Sequence, residues 1–285
     1  MVGDGGLRVY ISNYGNSPQD IDIQTESVQS ESHNLQDICF GNNRFVAVGG
    51  KQPGTNDAHL SLWTKQIDQN WNDHSKEGEP IGSCVYGENF FVGISTNEQT
   101  PVHSLAGIQW QEGNRTPWIQ DTLHDIAFGQ DLFIAVGDQG RISKSIDGSE
   151  WFTDISIGNL DIYRIIYAQS RFVGVGEFGF VISSPDGIHW TENMVGTNNF
   201  SHIVYGNDAF LISNGMMIYR STDTVVWEEW KESDIKLLAQ IGSFIFGYKG
   251  QDLYRTDDEN LLSWELISSI PNGLTIQSAH FEVRP

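Results

Sequence analysis

Seven residues able to hold a polar ligand share one place in the sequence. Each stands one or two positions before an alternating pair of apolar residues that recurs along the chain: Asp37, His124, Asp125, Tyr163, Arg164, His202 and Lys236. A pocket that combines carboxylate, imidazole, guanidinium and ammonium groups suits a polar ligand. A merely water-filled opening would also be lined by such side chains, so the residues indicate a candidate site without naming its ligand.

Two kinds of chemistry fit these residues less well. Hydrolysis of a glycoside needs two carboxylates roughly 5 to 10 Å apart, and the sequence cannot rank pairs among its 37 acidic residues. A metal site could use His124 and His202, but neither His-x-His nor His-Glu-x-x-His spacing is present. We therefore expect no catalytic residue, no metal and no cofactor, and a hydrolase acting at this opening is kept as an alternative.

The apolar pair belongs to a unit that recurs seven times, at intervals of about 40 residues. Its first apolar residue lies at positions 38, 84, 126, 165, 203, 237 and 274. In the most regular copy, residues 123–151, an alternating strand a is followed by an apolar strand b, a Gly-flanked turn, strand c, and a turn leading into strand d. A period near 40 with four short strands predicts an all-β, seven-bladed β-propeller with four-stranded blades.

The two ends of the chain predict how this ring closes. Residues 274–284 would supply strands a and b of the last blade, and residues 2–12 resemble the continuation at residues 136–143. The N-terminal segment would then supply strand c, with strand d near residues 21–26. Such a "velcro" closure leaves no open sheet edge at the seam, and it predicts a single domain over residues 1–285.

A turn of the form Ser-x-Asp-Gly-x-x-Trp precedes strand d in the regular units. It comprises Ser145, Asp147, Gly148 and Trp151 in one unit, and Ser184, Asp186, Gly187 and Trp190 in the next. The turn resembles the Asp-box of the sialidase-like (BNR-type) propellers. The resemblance implies a structural role for these residues, on the face opposite that family's active site. Their carboxylate and hydroxyl groups can hydrogen-bond the backbone of the turn.

The resemblance does not extend to sialidase activity. Those enzymes clamp a substrate carboxylate with three arginines, one of them in an Arg-Ile-Pro motif, and this sequence has no such motif. The run Phe-Gly-x-x-x-Phe-Val-Ala-Val-Gly at residues 40–49 is most similar to bacterial propellers of no assigned role. More distantly, the chain resembles the photosystem-assembly propellers, although it lacks their arginine-rich patch.

The composition of the chain limits which classes of partner and which cellular compartment are expected. The net charge of −21 disfavours nucleic acid, because an acidic chain repels phosphate backbones. No window is apolar enough for membrane insertion, and residues 1–14 do not resemble a signal peptide. Cys39 and Cys84 are predicted to be free thiols, because they fall one register position apart in neighbouring units. Free thiols favour a cytoplasmic protein, and we expect a monomer.

These observations predict a non-catalytic binding scaffold. Its polar loop face, including the long loop Gly50–His59, would engage a protein or glycan partner, since propellers serve many functions. A carbohydrate-binding lectin is the first alternative, although a lectin should repeat its contacts in most blades. Trp230, three residues after Trp227, is a candidate exposed aromatic for such a contact.

Overall fold

The computed structural model describes residues 2–3, 7–12, 22–27, 34–50, 59–66, 70–115, 122–241, 244–257, 261–269 and 276–278. Within these residues the secondary structure consists of strands and two 3-10 turns, Asp138–Gly140 and Glu177–Gly179. No helix in this part of the chain is long and apolar enough to cross a membrane. Residues 51–58, which form most of the long loop predicted as a binding element, lie outside the described part.

The strands of the first half of the chain run in sequence order through three sheets and part of a fourth. The N-terminal strands are β1 (Val2–Gly3), β2 (Leu7–Ser12) and β3 (Asp22–Ser27). Sheet I contains β4 (Asn34–Gly41), β5 (Arg44–Gly50), β6 (His59–Gln66), β7 (Asn72–Asp73) and β8 (Lys76–Glu77). Sheet II contains β9 (Ile81–Gly87), β10 (Phe90–Ser95), β11 (Pro101–Ser104) and β12 (Gln111–Glu112). Sheet III contains β13 (Asn114–Arg115), β14 (Leu123–Gly129), β15 (Leu132–Gly137), β16 (Arg141–Ser145) and β17 (Glu150–Ser156).

The second half of the chain repeats the arrangement. Sheet IV contains β18 (Ile162–Ala168), β19 (Arg171–Gly176), β20 (Phe180–Ser184) and β21 (Thr191–Met194). Sheet V contains β22 (His202–Gly206), β23 (Ala209–Ser213), β24 (Met217–Ser221) and β25 (Glu228–Glu232). Sheet VI contains β26 (Lys236–Ile241), β27 (Phe244–Lys249), β28 (Asp252–Thr256) and β29 (Glu265–Ser269). Sheet VII joins β30 (Ile276–Ser278) to β1, β2 and β3.

The prediction of an all-β chain built from four-stranded antiparallel sheets is confirmed. Five of the seven sheets formed by the described residues have four strands, and the remaining two have five. The added β13 in sheet III runs parallel to β17. In sheet VII, β30 pairs directly with β1. Val2–Gly3 lies where Val136–Gly137 ends strand b of the regular unit. The predicted strand b of the C-terminal segment falls in residues 279–285, outside the described part.

The turns between strands a and b explain why each unit folds locally into a hairpin. In sheet III, Gln130 and Asp131 both have positive φ (52° and 55°), and the same pair of conformations occurs at Asn42 and Asn43 in sheet I. Two successive residues with positive φ form the type I′ turn, whose twist matches that of the flanking strands. Strand b then runs back through the core, so that Phe133, Ile134 and Ala135 are fully buried.

A glycine at the end of strand a makes room for the next sheet. A Cβ atom on Gly129 would lie 2.2 Å from Cγ of Tyr167 in sheet IV, and a Cβ on Gly41 would lie 1.9 Å from Cγ of Tyr86 in sheet II. The aromatic ring of one strand a therefore packs over the backbone of the preceding one. This contact brings successive a strands side by side: β4 with β9, β9 with β14, β14 with β18, β18 with β22, and β22 with β26.

The prediction of two free thiols is wrong. Cys39 on β4 and Cys84 on β9 form a disulfide, with their Cα atoms 5.7 Å apart. We had taken the offset of one register position as a sign that the side chains point apart. However, side chains alternate between the two faces of a strand, and neighbouring sheets meet through opposite faces. Facing positions are therefore offset by an odd number of residues, and the argument for a cytoplasmic location is withdrawn.

Candidate functional site

The predicted site residues lie at one end of the sheets. Strands a of sheets I to VI begin at this end, which also carries the turns between strands b and c, and we call it the upper face. The turns between strands c and d lie at the opposite end of the antiparallel strands, which we call the lower face. Asp37, Asp125, Arg164, His202 and Lys236 each lie near the upper-face end of a strand a.

Asp37 and Asp125 connect neighbouring sheets. Asp37 accepts hydrogen bonds from the backbone N–H of Ile38 at 2.8 Å and of Cys84, in the next sheet, at 2.7 Å. Asp125 is buried. It accepts hydrogen bonds from Ser83 Oγ at 2.6 Å and from the backbone N–H of Ile165 at 2.9 Å. Both carboxylates thus bind backbone donors across a sheet boundary, which defines how adjacent a strands are spaced.

The next three sheets carry cationic or imidazole side chains instead. Arg164 Nη1 lies 3.9 Å from Asp125 Oδ1, and its side chain is 43% exposed. Half-buried His202 contacts the ring of Tyr248 edge-on, with centroids 6.1 Å apart, and Lys236 Nζ lies 5.5 Å from the centroid of the same ring. The pKa of His202 is lowered to about 3, first by burial and then by Arg164 and Lys236. His202 is therefore neutral at pH 7.

Tyr248 was missed by the sequence analysis, although a signal was present. It lies on β27 opposite Lys236. The residue in the same place on strand b of the regular sheets is a valine: Val48 opposite Asp37, Val136 opposite Asp125 and Val175 opposite Arg164. An alignment of the units would have shown a tyrosine at a position where the regular units have a small apolar residue.

His124 and Tyr163 belong to a second group, further from the cations. His124 Nε2 lies 2.6 Å from Asp138 Oδ1, and its ring contacts that of Tyr163 with centroids 5.7 Å apart. Burial raises the pKa of Tyr163, and the nearby carboxylates of Glu177, Asp161 and Asp138 raise it further. One potential ligand atom from each of His124, Asp138 and Asp161 lies within 4.8 Å of the others.

This second group has local hydrogen-bond partners of its own. Asp161 Oδ1 accepts a hydrogen bond from the backbone N–H of Gln139 at 2.8 Å, so that it holds the b–c turn of sheet III. Asp138 faces His124 at ion-pair distance. The predicted residues thus divide into a bridging pair of acids, a cationic arc on sheets IV to VI and a His–Asp–Tyr group between sheets III and IV.

Comparisons with known proteins rest on structure alone. No sequence family and no curated protein matches the chain. Among solved structures, a streptogramin B lyase superimposes with a TM-score of 0.68 at 11% identity, covering 92% of this chain and 88% of that one. YCF48 bound to D1 peptide gives a TM-score of 0.61 at 17% identity, covering 81% and 80%. YCF48 from Cyanidioschyzon merolae gives 0.61 at 16%, covering 84% and 86%.

The fold is a β-propeller. At these identities the likeness establishes the fold and no activity. In a propeller the a strands surround a central channel, and the bridging acids and the cationic arc lie on these strands.

The lower-face turns of the propeller are held by local hydrogen bonds. Ser145 Oγ accepts from the backbone N–H of Gly148 at 2.9 Å, and Asp147 Oδ1 accepts from those of Ser149 and Glu150, each at 2.9 Å. Burial alone would raise the pKa of Asp147, but the hydrogen bonds from Glu150 and Ser149 outweigh it and lower that pKa. Buried Trp151 donates from Nε1 to the carbonyl of Gly148 at 2.9 Å.

The next propeller unit repeats this arrangement. Gly187 N–H donates to Ser184 Oγ at 2.8 Å, and Asp186 Oδ1 accepts from the backbone N–H groups of Ile188 and His189. His189 Nδ1 lies 2.8 Å from Asp186 Oδ2, and this contact lowers the pKa of Asp186. Trp190 packs against the core between sheets III and IV. These contacts serve the turns themselves.

Exposed apolar side chains occur on both faces of the propeller. On the upper face, Phe178 is 56% exposed and Met216 is 63% exposed, in the b–c turns of the adjacent sheets IV and V. Met216 lines a shallow groove of about 690 Å³ with Asn198, Tyr219 and Glu232. On the lower face the exposed set is Leu105, Ile146, Ile188, Val225, Val226 and Leu262.

Trp230 does not lie on an exposed aromatic surface. Its ring is half-buried against the core between sheets V and VI, and the Arg220 guanidinium stacks over it at 4.9 Å. The expectation of an exposed contact residue was therefore wrong. The pairing of β24 with β25 skips Trp230, since Ile218 faces Lys231 and Tyr219 faces Glu229. Such a bulge breaks the alternation from which the exposure was predicted.

Proposed function

We propose that this protein is a non-catalytic scaffold that binds a protein partner on its upper face. The observation that carries the proposal is the pair of exposed side chains Phe178 and Met216 beside the groove at sheets IV and V. Aromatic and methionine side chains are enriched at the centres of protein interfaces. The two turns are linked, because the backbone N–H of Phe178 donates to Asn199 Oδ1 while the adjacent Asn198 lines the groove.

A propeller of the same fold is known in a peptide complex. One structural neighbour is YCF48 bound to D1 peptide, which supports a peptide or protein as the partner class. A glycan is less well supported, because a lectin built from repeats should present the same contacts in several units. Here the upper-face side chains differ from sheet to sheet, whereas the repeated contacts are those of the lower-face turns.

A hydrolase at the channel mouth is disfavoured because the acidic side chains there are hydrogen-bonded to other parts of the protein. Both oxygens of Asp37 and both oxygens of Asp125 accept hydrogen bonds from groups in their own or the neighbouring sheet. A catalytic carboxylate must have an oxygen within reach of the substrate, whereas the oxygens of these two residues are engaged by groups of the protein itself. These residues support a rigid frame for binding.

We propose that this frame is a complete seven-bladed ring in one domain. Sheets I to VII would be the blades, and the pairing of β30 with β1 would provide the velcro closure. The serine–aspartate turns of the lower face would be Asp-boxes of the sialidase-like type. A closed ring protects its sheet edges and holds the loops of the upper face in fixed positions.

The face assignment can be tested without knowing the partner. A displayed library of random peptides is selected on the wild-type protein, and the affinities of the selected peptides are measured for two double variants. The first, Phe178→Ser with Met216→Ser, alters the upper face. The second, Ile146→Ser with Ile188→Ser, removes similar apolar area from the lower face.

We expect most selected peptides to lose at least tenfold in affinity for the upper-face variant and to keep it for the lower-face variant. Both variants should retain the wild-type melting temperature, because the altered side chains are exposed. The reverse pattern would place the binding surface on the lower face. Recovery of no peptide above background from the library would contradict the scaffold proposal itself.

A further inference from the structure

The cationic arc at the channel mouth is positively charged, whereas the chain as a whole is strongly acidic. The chain carries a net charge of −21, yet the a strands of sheets IV and VI place Arg164 and Lys236 around His202 and Tyr248. Both cations act on the same imidazole, since each lowers the pKa of His202. Arg164 also counteracts the rise in the pKa of Tyr248 that burial produces. Ring contacts bring His202, Lys236 and Tyr248 together, and Arg164 lies on the adjacent strand β18, which packs beside β22.

The positive charge of this group is incompletely balanced. Asp125, 3.9 Å from Arg164, is the near carboxylate, and its two oxygens already accept hydrogen bonds from Ser83 and Ile165. Lys236 makes no ion pair within the described part of the chain, where its contact is the face of Tyr248.

The neutral state of His202 suits the recognition of an anion. Its Nδ1 lies 2.7 Å from Ser201 Oγ, so the imidazole has a hydrogen-bonded partner on one nitrogen and a second nitrogen for a ligand. A guanidinium offers a planar pair of donors that matches a carboxylate, and an ammonium and a phenol add single donors. Each of the four side chains carries a hydrogen-bond donor for an anion, and none of them contributes a negative charge.

We propose that Arg164, His202, Lys236 and Tyr248 form a binding site for a carboxylate carried by the partner protein. This inference rests on the proposed function, because it names the group of the partner that the channel mouth would recognise. The carboxylate is that of an acidic side chain or of a chain terminus. An acidic group is repelled by most of this protein's surface, so a local positive potential would also direct it to the mouth.

A small fluorinated anion tests the site without any partner. Trifluoroacetate is titrated with the wild-type protein, and the broadening of its ¹⁹F resonance is compared with that of neutral trifluoroethanol at equal ionic strength. The test variant is Arg164→Gln with Lys236→Gln. The matched control is Lys144→Gln with Lys231→Gln, which removes the same charge from strands β16 and β25, away from the mouth.

We expect the wild type and the control to broaden the ¹⁹F resonance of trifluoroacetate equally. The test variant should lose at least four fifths of that broadening. Trifluoroethanol should be unaffected in all three proteins. Equal broadening by all three proteins would show non-specific ion association and would overturn the inference. No broadening by the wild type up to tens of millimolar anion would overturn it as well.

A second arm separates this inference from the proposed function and distinguishes the two sources of the carboxylate. Peptides selected from the library are remade with an amidated C-terminus, or with each acidic residue replaced by its amide. The bound carboxylate is the one whose removal weakens binding to the wild type. Its removal should cause no additional loss of affinity for Arg164→Gln with Lys236→Gln, which has already lost the site. Peptides that depend on Phe178 and Met216 but not on Arg164 and Lys236 would leave the scaffold proposal intact and overturn the carboxylate site.

Discussion

The carboxylate of Asp125 accepts a hydrogen bond from the backbone N–H of Ile165 at 2.9 Å, across the boundary between sheets III and IV. Asp37 makes the equivalent bond to Cys84 across the boundary between sheets I and II. The same position of the repeat therefore has two uses. Acids at this position connect adjacent a strands, whereas Arg164, His202 and Lys236 are the residues for which we propose a ligand-binding role.

Replacing Asp125 by Asn should destabilise the protein. The amide oxygen can still accept from the Ile165 N–H and the NH₂ group can donate to Ser83 Oγ, but neither bond is then made to a charged carboxylate. Exchanging bonds to a charged group for neutral ones should cost about 1 kcal/mol, which urea denaturation can measure. Asp131→Asn, in the exposed a–b turn of sheet III, is the control and should be nearly neutral, since asparagine tolerates positive φ. Equal stability of the two variants would show that the bond across the boundary has no net effect.

The Cys39–Cys84 disulfide predicts a dependence on reductant. The unfolded wild-type protein should show no free thiol before reduction and two after it, because the chain contains two cysteines. Closing a loop of this length should contribute about 2 to 4 kcal/mol to stability, seen as a lower denaturation midpoint in dithiothreitol. Cys39→Ser with Cys84→Ser should be insensitive to dithiothreitol. Two reactive thiols in the unreduced protein would contradict the disulfide.

Gly129→Ala should disturb the contact between sheets III and IV. The added methyl would lie 2.2 Å from Tyr167 Cγ, so the ring must move, at a cost of about 1 to 3 kcal/mol. Combining Gly129→Ala with Tyr167→Ala should cost less than the sum of the two single changes, because the smaller side chain makes room for the methyl. A double-mutant cycle of unfolding free energies measures this coupling. Strict additivity would mean that the ring and the glycine do not constrain each other.

The lowered pKa of His202 predicts a pH-dependent difference between variants. The folded value is about 3, against about 6.5 in an unfolded chain. Between these values the unfolded chain binds a proton that the folded protein does not, so His202 increasingly favours unfolding as the pH falls. Above about pH 6.5 this contribution disappears. His202→Gln should therefore gain stability relative to the wild type below pH 6, by about 1 kcal/mol per pH unit.

Urea denaturation of both proteins at pH 7, 6, 5 and 4.5 measures this difference directly. Titration of other groups affects both proteins in the same way and cancels in the comparison. A difference that stays constant over this range would show that the imidazole is not held neutral at the channel mouth.

Much of the local structure could be predicted from the sequence. The recurrence at positions 38, 84, 126 and 165 predicted strands of the right type and order, because alternating apolar residues and turn-forming pairs such as Asn42 and Asn43 act over a few residues. The local bonding of Ser145 and Asp147 was also expected, since both partners belong to one turn. These features depend on contacts between near neighbours in the chain.

Contacts between sheets were decided by the tertiary structure. Four contacts each join residues 40 to 47 positions apart in the chain: the pairing of Cys39 with Cys84, the bridges from Asp37 and Asp125, and the position of Tyr248 beside His202. A sequence repeat identifies residues that occupy the same position in different sheets. Residues that touch across two adjacent sheets occupy different positions of the repeat, because neighbouring sheets meet through opposite faces. For this reason the sequence alone determined the seven candidate residues and the strands that carry them, and only the packing of the sheets separated the bridging acids from the cationic site.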